Sequence, residues 1–427
     1  MSYASDASAQ KAPLYILFLL ILAGEAVFIL PFVLARVFRP TVLEVFQVDN
    51  LQLGLCFSVY GVVAMLSYLF GGPLADRYSS RKLIAIALWL TAIGGILFAT
   101  FPQLLVLQIL YGYWGFTTIF LFWAPMIKAT RLWGGNNSQG KAFGFLEGGR
   151  GLVGALFGSI GLLVFSFVIS NDEYQGLDLS TNRAAFRQVI LVCAGMVAFV
   201  GLLVWRFMRL DNYAAKEIVI DKISYDQIKQ VLRLPSVWLL MIIILCAYVG
   251  YKITDLFSLY ANDVMQYDPV QSAQVGTVLL YMRPVLGVII GLLADRTQST
   301  IMLILGFVLA IIGAILFATG SIISSAPLLF IVSTLIVATG VYATRSLYFA
   351  IMKKGQIPLY LTGTAVGLAS LLGYTPDVFV GPVTGYMLEN APGIKGHQHA
   401  FWFLGCFSMI GLIASVVFHR YYNRIES

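Results

Sequence analysis

Charge is what this sequence has least of. Only 11% of its 427 residues are Asp, Glu, Lys or Arg while 59% are hydrophobic, too little charge to cover a globule in water. The bilayer must therefore be its solvent. Cysteine is scarce and badly spaced for chemistry: Cys56, Cys193, Cys246 and Cys406 all fall in apolar runs with no CxxC, which excludes a disulfide framework, a zinc site and a thiol redox centre. The three histidines form no cluster with cysteines or acids, and His397-Gln-His399 reads as a solvated outer loop. No metal and no cofactor is expected. No small-residue cleavage site follows the first apolar run, so that run stays as a membrane helix. Nor does any nucleophile meet a base at membrane depth, which argues against an enzyme. The net charge of +7 fits basic loops held at one membrane face and not affinity for nucleic acid.

What is present is apolar length. A spanning helix needs about 20 apolar residues, and twelve such segments can be placed, at 13–37, 51–73, 83–101, 104–127, 143–169, 187–208, 236–257, 272–293, 301–320, 327–350, 361–388 and 399–420. Arg77, Arg81, Lys82, Lys128, Arg131, Lys141, Arg206, Arg209, Lys216, Lys222, Lys229, Arg233, Lys353 and Lys354 all fall on one side of this arrangement. That side is expected to be cytoplasmic and to carry both termini; Arg36, Arg39, Arg183, Arg187 and Lys395 are the exceptions opposite. The organisation expected is an all-α membrane protein with a six-helix bundle over 1–209, a cytoplasmic linker over 210–235 and a second bundle over 236–427. Ile223, Ile228, Val231 and Leu232 give the linker an amphipathic, helical spacing.

The two halves repeat. Gly72-Pro-Leu-Ala-Asp76-Arg77 recurs as Gly291-Leu-Leu-Ala-Asp295-Arg296, and Gly94-Gly-Ile-Leu-Phe-Ala-Thr100 recurs as Gly313-Ala-Ile-Leu-Phe-Ala-Thr319, both 219 residues on. One offset shared by two words, each at the same place in its half, points to duplication and parallel repeats.

The stretch Gly72-Pro-Leu-Ala-Asp76-Arg77-Tyr-Ser-Ser-Arg81-Lys82, between the second and third helices, resembles the signature loop of the major facilitator superfamily. Its partial copy after the eighth helix lies where that family has one. The second basic residue comes one position late and Ser79 stands where glycine is usual, a stretching similar to that of organophosphate antiporters. The resemblance implies two six-helix bundles and secondary transport, with both copies of the loop acting as an inner gate. Asp76 and Asp295 could face helix N-termini and basic side chains of the opposite half, and Arg77, Arg81, Lys82 and Arg296 could meet acids or helix C-termini. The pattern as a whole looks most like uncharacterised bacterial carriers near the organic-anion and organophosphate branches, which implies a multi-pass protein of the bacterial inner membrane.

Ionisable groups inside hydrocarbon cost several kcal/mol unless paired or wet, so each is a functional candidate. They are Glu25, Glu147, Arg150, Lys252, Asp255, Arg283, Arg345 and Asp377. Arg283, beside Tyr281 and Pro284, and Arg345, one turn from Tyr342, could form a clamp for an organic anion, since guanidinium stays charged and binds carboxylate or phosphate in a fork. Lys252 would mark the outer end of that site, and Tyr374 would lie near it. The competing reading neutralises each arginine with an acid such as Glu25 or Asp377. Those two acids are also the candidates for proton coupling, with a counter-anion as the other possible partner. Glu147 and Arg150, spaced i, i+3, can pair with each other and are assigned to the inner gate. The expected partners are thus one small, anionic substrate, the lipid bilayer, and a proton or counter-anion, for a chain working as a monomer. Two readings stand against it: a neutral or zwitterionic cargo such as a peptide or sugar, and a transporter-like sensor without turnover.

Overall fold

The computed structural model describes residues 13–134, 139–170, 179–209, 225–348, 350–352, 355 and 362–426. All regular structure among them is helical. The long helices are α1 (Leu14–Val37), α2 (Asn50–Arg77), α3 (Ser80–Phe98), α4 (Leu104–Gly134), α5 (Gln139–Ser170), α6 (Leu179–Phe207), α7 (Pro235–Asp263), α8 (Pro269–Arg296), α9 (Ser299–Ala318) and α10 (Pro327–Leu347). Then come α11, in two pieces (Thr362–Gly373 and Pro376–Asn390), and α12 (Ile394–Glu426). Among the described residues eleven spans are long and apolar enough to cross a membrane. The twelfth crossing, α11, misses that measure because its pieces have only 12 and 15 residues. Pro376 has no N–H to continue the ladder, and the chain crosses the break by short turns, Thr375 N–H to the Leu372 carbonyl and Asp377 N–H to that of Tyr374, both 3.1 Å.

The repeat is written into the structure. Asp49 and Gln52 close a capping box at the start of α2, and Asp268 and Gln271 close the same box at the start of α8, 219 residues on. Gln47 and Gln266, at the same offset, both take a positive φ, 53° and 57°, in the turn before those helices. Buried apolar side chains divide in the same way. One cluster runs from Ile16 to Met208 and adds only Ala273 and Leu280 from the second half. Two others come from the second half, one of them with Val231 of the linker. Outward-facing Phe18, Leu105, Leu163, Phe167, Leu292 and Leu328 are exposed, as lipid-facing side chains must be.

The halves meet along a seam closed over the part remote from the linker. There α2 lies directly on α11: a Cβ on Gly54 would stand 2.3 Å from the Gly381 carbonyl oxygen, so only glycine permits the approach. Ser58 Oγ donates to the Val378 carbonyl, and Asn50 donates to Glu389 Oε1 from its backbone N–H (2.8 Å) and its amide (3.2 Å). Between α5 and α8, Ser159 and Tyr281 share a hydrogen bond of 2.9 Å. Toward the linker face no such close approach is made at Gly72 of α2 or Gly291 of α8, where a Cβ would meet nothing within 4 Å.

One expectation changes. His397 is fully buried in the first turns of α12, its Nε2 3.0 Å from Asp263 Oδ2 and its ring against Tyr260. The reading of a solvated loop failed because α12 begins at Ile394, a turn earlier than apolar content alone marks. Most of the linker, 210–224 with Ile223, lies outside the described residues; the helix Tyr225–Leu232 follows it, with Val231 fully buried.

Candidate functional site

The expected membrane charges gather on the seam, in two paired groups and one arginine apart. The first group is a ring. Glu25 of α1 is 3% exposed, and its carboxylate bridges Arg150 Nε and Arg283 Nη1, both at 3.3 Å. Glu147 spans the same two arginines, at 2.7 Å to Arg150 and 3.7 Å to Arg283. Thus α1 and α5 of the first half hold α8 of the second through alternating charges. Glycine makes the room: a Cβ on Gly154 would crowd the Glu25 carboxylate at 3.1 Å, and one on Gly151 would press Pro284 at 3.0 Å.

The second group is built around α7. Lys252 Nζ lies 3.2 Å from Asp377 and 3.9 Å from Asp255, over the rings of Phe32 and Phe57 from the first half. Asp377 sits in the first turn of the second piece of α11, at the positive end of that helix, and accepts from Tyr248 Oη at 3.1 Å. Asp255, in a 3-10 turn that interrupts α7, pairs with Arg36 at the far end of α1. Arg36 Nη1 also donates to Tyr251 Oη at 2.7 Å, and Ser258 Oγ donates to its carbonyl at 2.8 Å.

Arg345 of α10 is the exception. Among the described residues it has no carboxylate partner, its Nη1 is buried without a hydrogen bond, and its guanidinium lies 3.7 Å from the centroid of the Tyr251 ring. Tyr251 is shared, because Arg36 stands 4.5 Å and Arg283 5.8 Å from the same centroid. Four acids, Glu25, Glu147, Asp255 and Asp377, therefore face five bases, Arg36, Arg150, Lys252, Arg283 and Arg345. The group carries one positive charge in excess, and Arg345 carries it.

The other expected residues are distributed as follows. Tyr342 is buried with its hydroxyl unpartnered, one turn from Arg345. The Tyr374 ring packs on Tyr248 at 4.8 Å, and its hydroxyl meets that of Tyr348 at 3.3 Å. Tyr281 stands apart from these, 37% exposed and bonded to Ser159 on the α5–α8 seam. In the signature loops the side chains of Asp76 and Asp295 lie outside the described residues. Arg77 rests over the Tyr78 ring, Arg81 over Trp205, and Lys82 and Arg296 are exposed. Arg36 and Tyr251 were missed by the sequence reading. Arg36 counts there as a far-side loop exception, yet it and Asp255 lie 219 residues apart, at the same position of the two repeats. That offset was the available signal.

A family model of the Major Facilitator Superfamily matches residues 14–381. The chain is 27% identical to the inner membrane protein YqcE of Escherichia coli (strain K12) over 87% of this chain and 86% of that one. It is 24% identical to the inner membrane protein YihN of the same organism, over 93% of each. Among solved structures it is similar to a bacterial homologue of the human lysosomal transporter Spinster in an inward-facing, unoccupied conformation. The TM-score is 0.72 at 16% identity, covering 95% of this chain and 97% of that one. It is also similar to the nucleoside transporter NupG, with a TM-score of 0.69 at 13% identity over 95% and 99%. At such identities these structures speak for the fold alone.

Proposed function

This chain belongs to the major facilitator superfamily and is a multi-pass inner-membrane secondary transporter, not an enzyme; from that footing we propose that it carries a small organic anion by alternating access. The observation that supports this most is Arg345. Arg345 is half-buried, and a guanidinium at membrane depth with its Nη1 buried and no counter-charge is costly, a cost that the Tyr251 ring offsets by about 0.5–2 kcal/mol. A carboxylate, phosphate or sulfonate docked in a fork would supply the missing partner and bring the group to neutrality. The clamp expected of Arg283 and Arg345 thus narrows. Arg345 receives the anion, while Arg283, held by Glu25 and Glu147, fixes the seam and faces the ligand only through the Tyr251 ring. Tyr342 and Tyr374 line the approach, with Lys252 behind Asp377.

The excess charge also bears on coupling. Neutralising Glu25 would leave Arg150 and Arg283 with Glu147 alone between them, and neutralising Asp377 would leave Lys252 with only Asp255, at 3.9 Å. A counter-anion on Arg345 disturbs neither group, so exchange is favoured over proton symport, in which Glu25 or Asp377 would carry the proton. The signature residues Gly72, Asp76, Arg77, Arg81, Lys82, Gly291, Asp295 and Arg296 are proposed to latch the linker face when it closes, Glu147 and Arg150 joining that gate. The linker face is taken as cytoplasmic, with both termini there, and the single chain as the working unit. NupG carries a nucleoside by name, and a neutral cargo remains the competing outcome. The test is a thermal-shift screen of the purified chain against organic anions, phosphate esters, peptides and sugars. Stabilisation by one anion class, lost in Arg345→Ala, is expected; stabilisation by a neutral solute that survives Arg345→Ala would remove the anion.

A further inference from the structure

Tyr251 joins one of the ties that close the remote face to the arginine that lacks a counter-charge. Its hydroxyl accepts from Arg36 Nη1 at 2.7 Å. Arg36 in turn pairs with Asp255 and, through its carbonyl, with Ser258, which ties the end of α1 to α7. One residue further, Val37 is fully buried against Gly276 of α8, whose Cβ would stand 2.8 Å from the Val37 Cα. On its ring, Tyr251 carries the unpaired guanidinium of Arg345 at 3.7 Å. One side chain therefore meets Arg36 of the far gate by its hydroxyl and Arg345 by its face.

We propose that Tyr251 is a positioning residue that couples the occupancy of Arg345 to the far gate. The Arg345 guanidinium, lying on the ring, holds it in place, and the hydroxyl is fixed where Arg36 needs it. An anion drawing that guanidinium into a fork releases the ring, and Arg36 loses its second hydrogen bond and its ring contact together. The end of α1 is then tied to α7 by Asp255 and Ser258 alone, and the far gate, left with these and the α2–α11 contacts, is weakened toward opening. The direction suits a carrier that fills from the linker face and discharges at the other. The ligand can act in this way because it binds differently to the two states. The identity of the displacing group rests on the anion reading above; the mechanical link between Arg345, Tyr251 and Arg36 does not.

The link can be tested without a ligand. In the full chain with exposed Cys406 replaced by serine, two reporters are made, Val37→Cys at the closed gate and Gly72→Cys at the open linker face, and maleimide labelling rates are measured in detergent. Tyr251→Phe removes the hydroxyl and Arg345→Ala removes the stacked guanidinium. Each is expected to raise labelling at Val37→Cys roughly tenfold, the change given by about 1.4 kcal/mol, and to lower labelling at Gly72→Cys. Unchanged rates in both variants would overturn the proposal. So would a rise at both reporters, which marks loosened packing and not a switch. Failure of the anion reading appears separately, as the absence of stabilisation of the parent chain by any anion class.

Discussion

Replacing Glu25 by glutamine is the perturbation whose size follows most directly from the structure. The carboxylate is 3% exposed and bridges two guanidiniums from opposite halves, each at 3.3 Å. Removing one member of a buried ion pair typically costs about 3–5 kcal/mol, because the charge left behind is uncompensated. Here Glu147 still reaches both arginines, though its side chain is 52% exposed and its longer contact is 3.7 Å. The loss should therefore fall near the lower bound, about 3 kcal/mol. For a cooperative unit the size of one six-helix half this corresponds to a fall in melting temperature of roughly 6–12 °C, at about 2–4 °C per kcal/mol. The assay is a double-mutant cycle of Glu25→Gln, Arg283→Gln and their combination, followed by intrinsic fluorescence on heating. Because the double variant removes one acid and one base, it should be more stable than the sum of the single losses by at least about 1 kcal/mol. Strict additivity, or a Glu25→Gln shift below about 2 °C on that scale, would refute the ring as an energetic unit.

Other outcomes follow from the same geometry. Arg345→Met removes a half-buried charge that has no carboxylate partner among the described residues, so the ligand-free chain should melt at or above the parent temperature, whereas Arg283→Met should lower it. Gly54→Leu forces a side chain into the Gly381 backbone, 2.3 Å from where its Cβ would stand. It should cost at least about 1–3 kcal/mol and raise maleimide labelling at Val37→Cys by holding the far seam apart. Arg36→Gln strips the partner from buried Asp255, and the same reporter should label faster, while Arg36→Gln with Asp255→Asn should recover part of the melting temperature.

How far the sequence reaches depends on which physics each feature obeys. Hydropathy is summed along the chain, so the twelve crossings can be placed within a few residues, and the repeat supplies the relation between the halves. The break in α11 is also legible, because Pro376 removes a donor wherever it sits. Pairing is another matter. Whether Arg283 meets Glu25 or a ligand depends on how α1, α5 and α8 rotate about their axes, and that is set by contacts such as Gly151 on Pro284, which no single-chain pattern records. Depth at a helix end is equally hidden. Arg36 belongs by position to the last turn of α1 and counts as a loop charge, yet it is 3% exposed and bonded to α7. His397 was lost in the same way, because α12 starts a turn before its apolar run. The π-helical turn at Phe116–Phe120 in α4 left no sequence signal that hydropathy or spacing could read.

The central claim is that an unpaired Arg345 is the anion's seat. Its most direct measurement is uptake, into proteoliposomes holding the purified chain, of the radiolabelled compound that stabilises it best in the thermal-shift screen. Parent, Arg345→Lys and Arg345→Ala would be compared with and without the same compound inside. The account predicts an anionic compound, uptake accelerated by internal anion, lost in Arg345→Ala and weakened in Arg345→Lys, which keeps the charge without the fork. Undiminished uptake in Arg345→Ala, or parent uptake confined to a neutral solute, would contradict it.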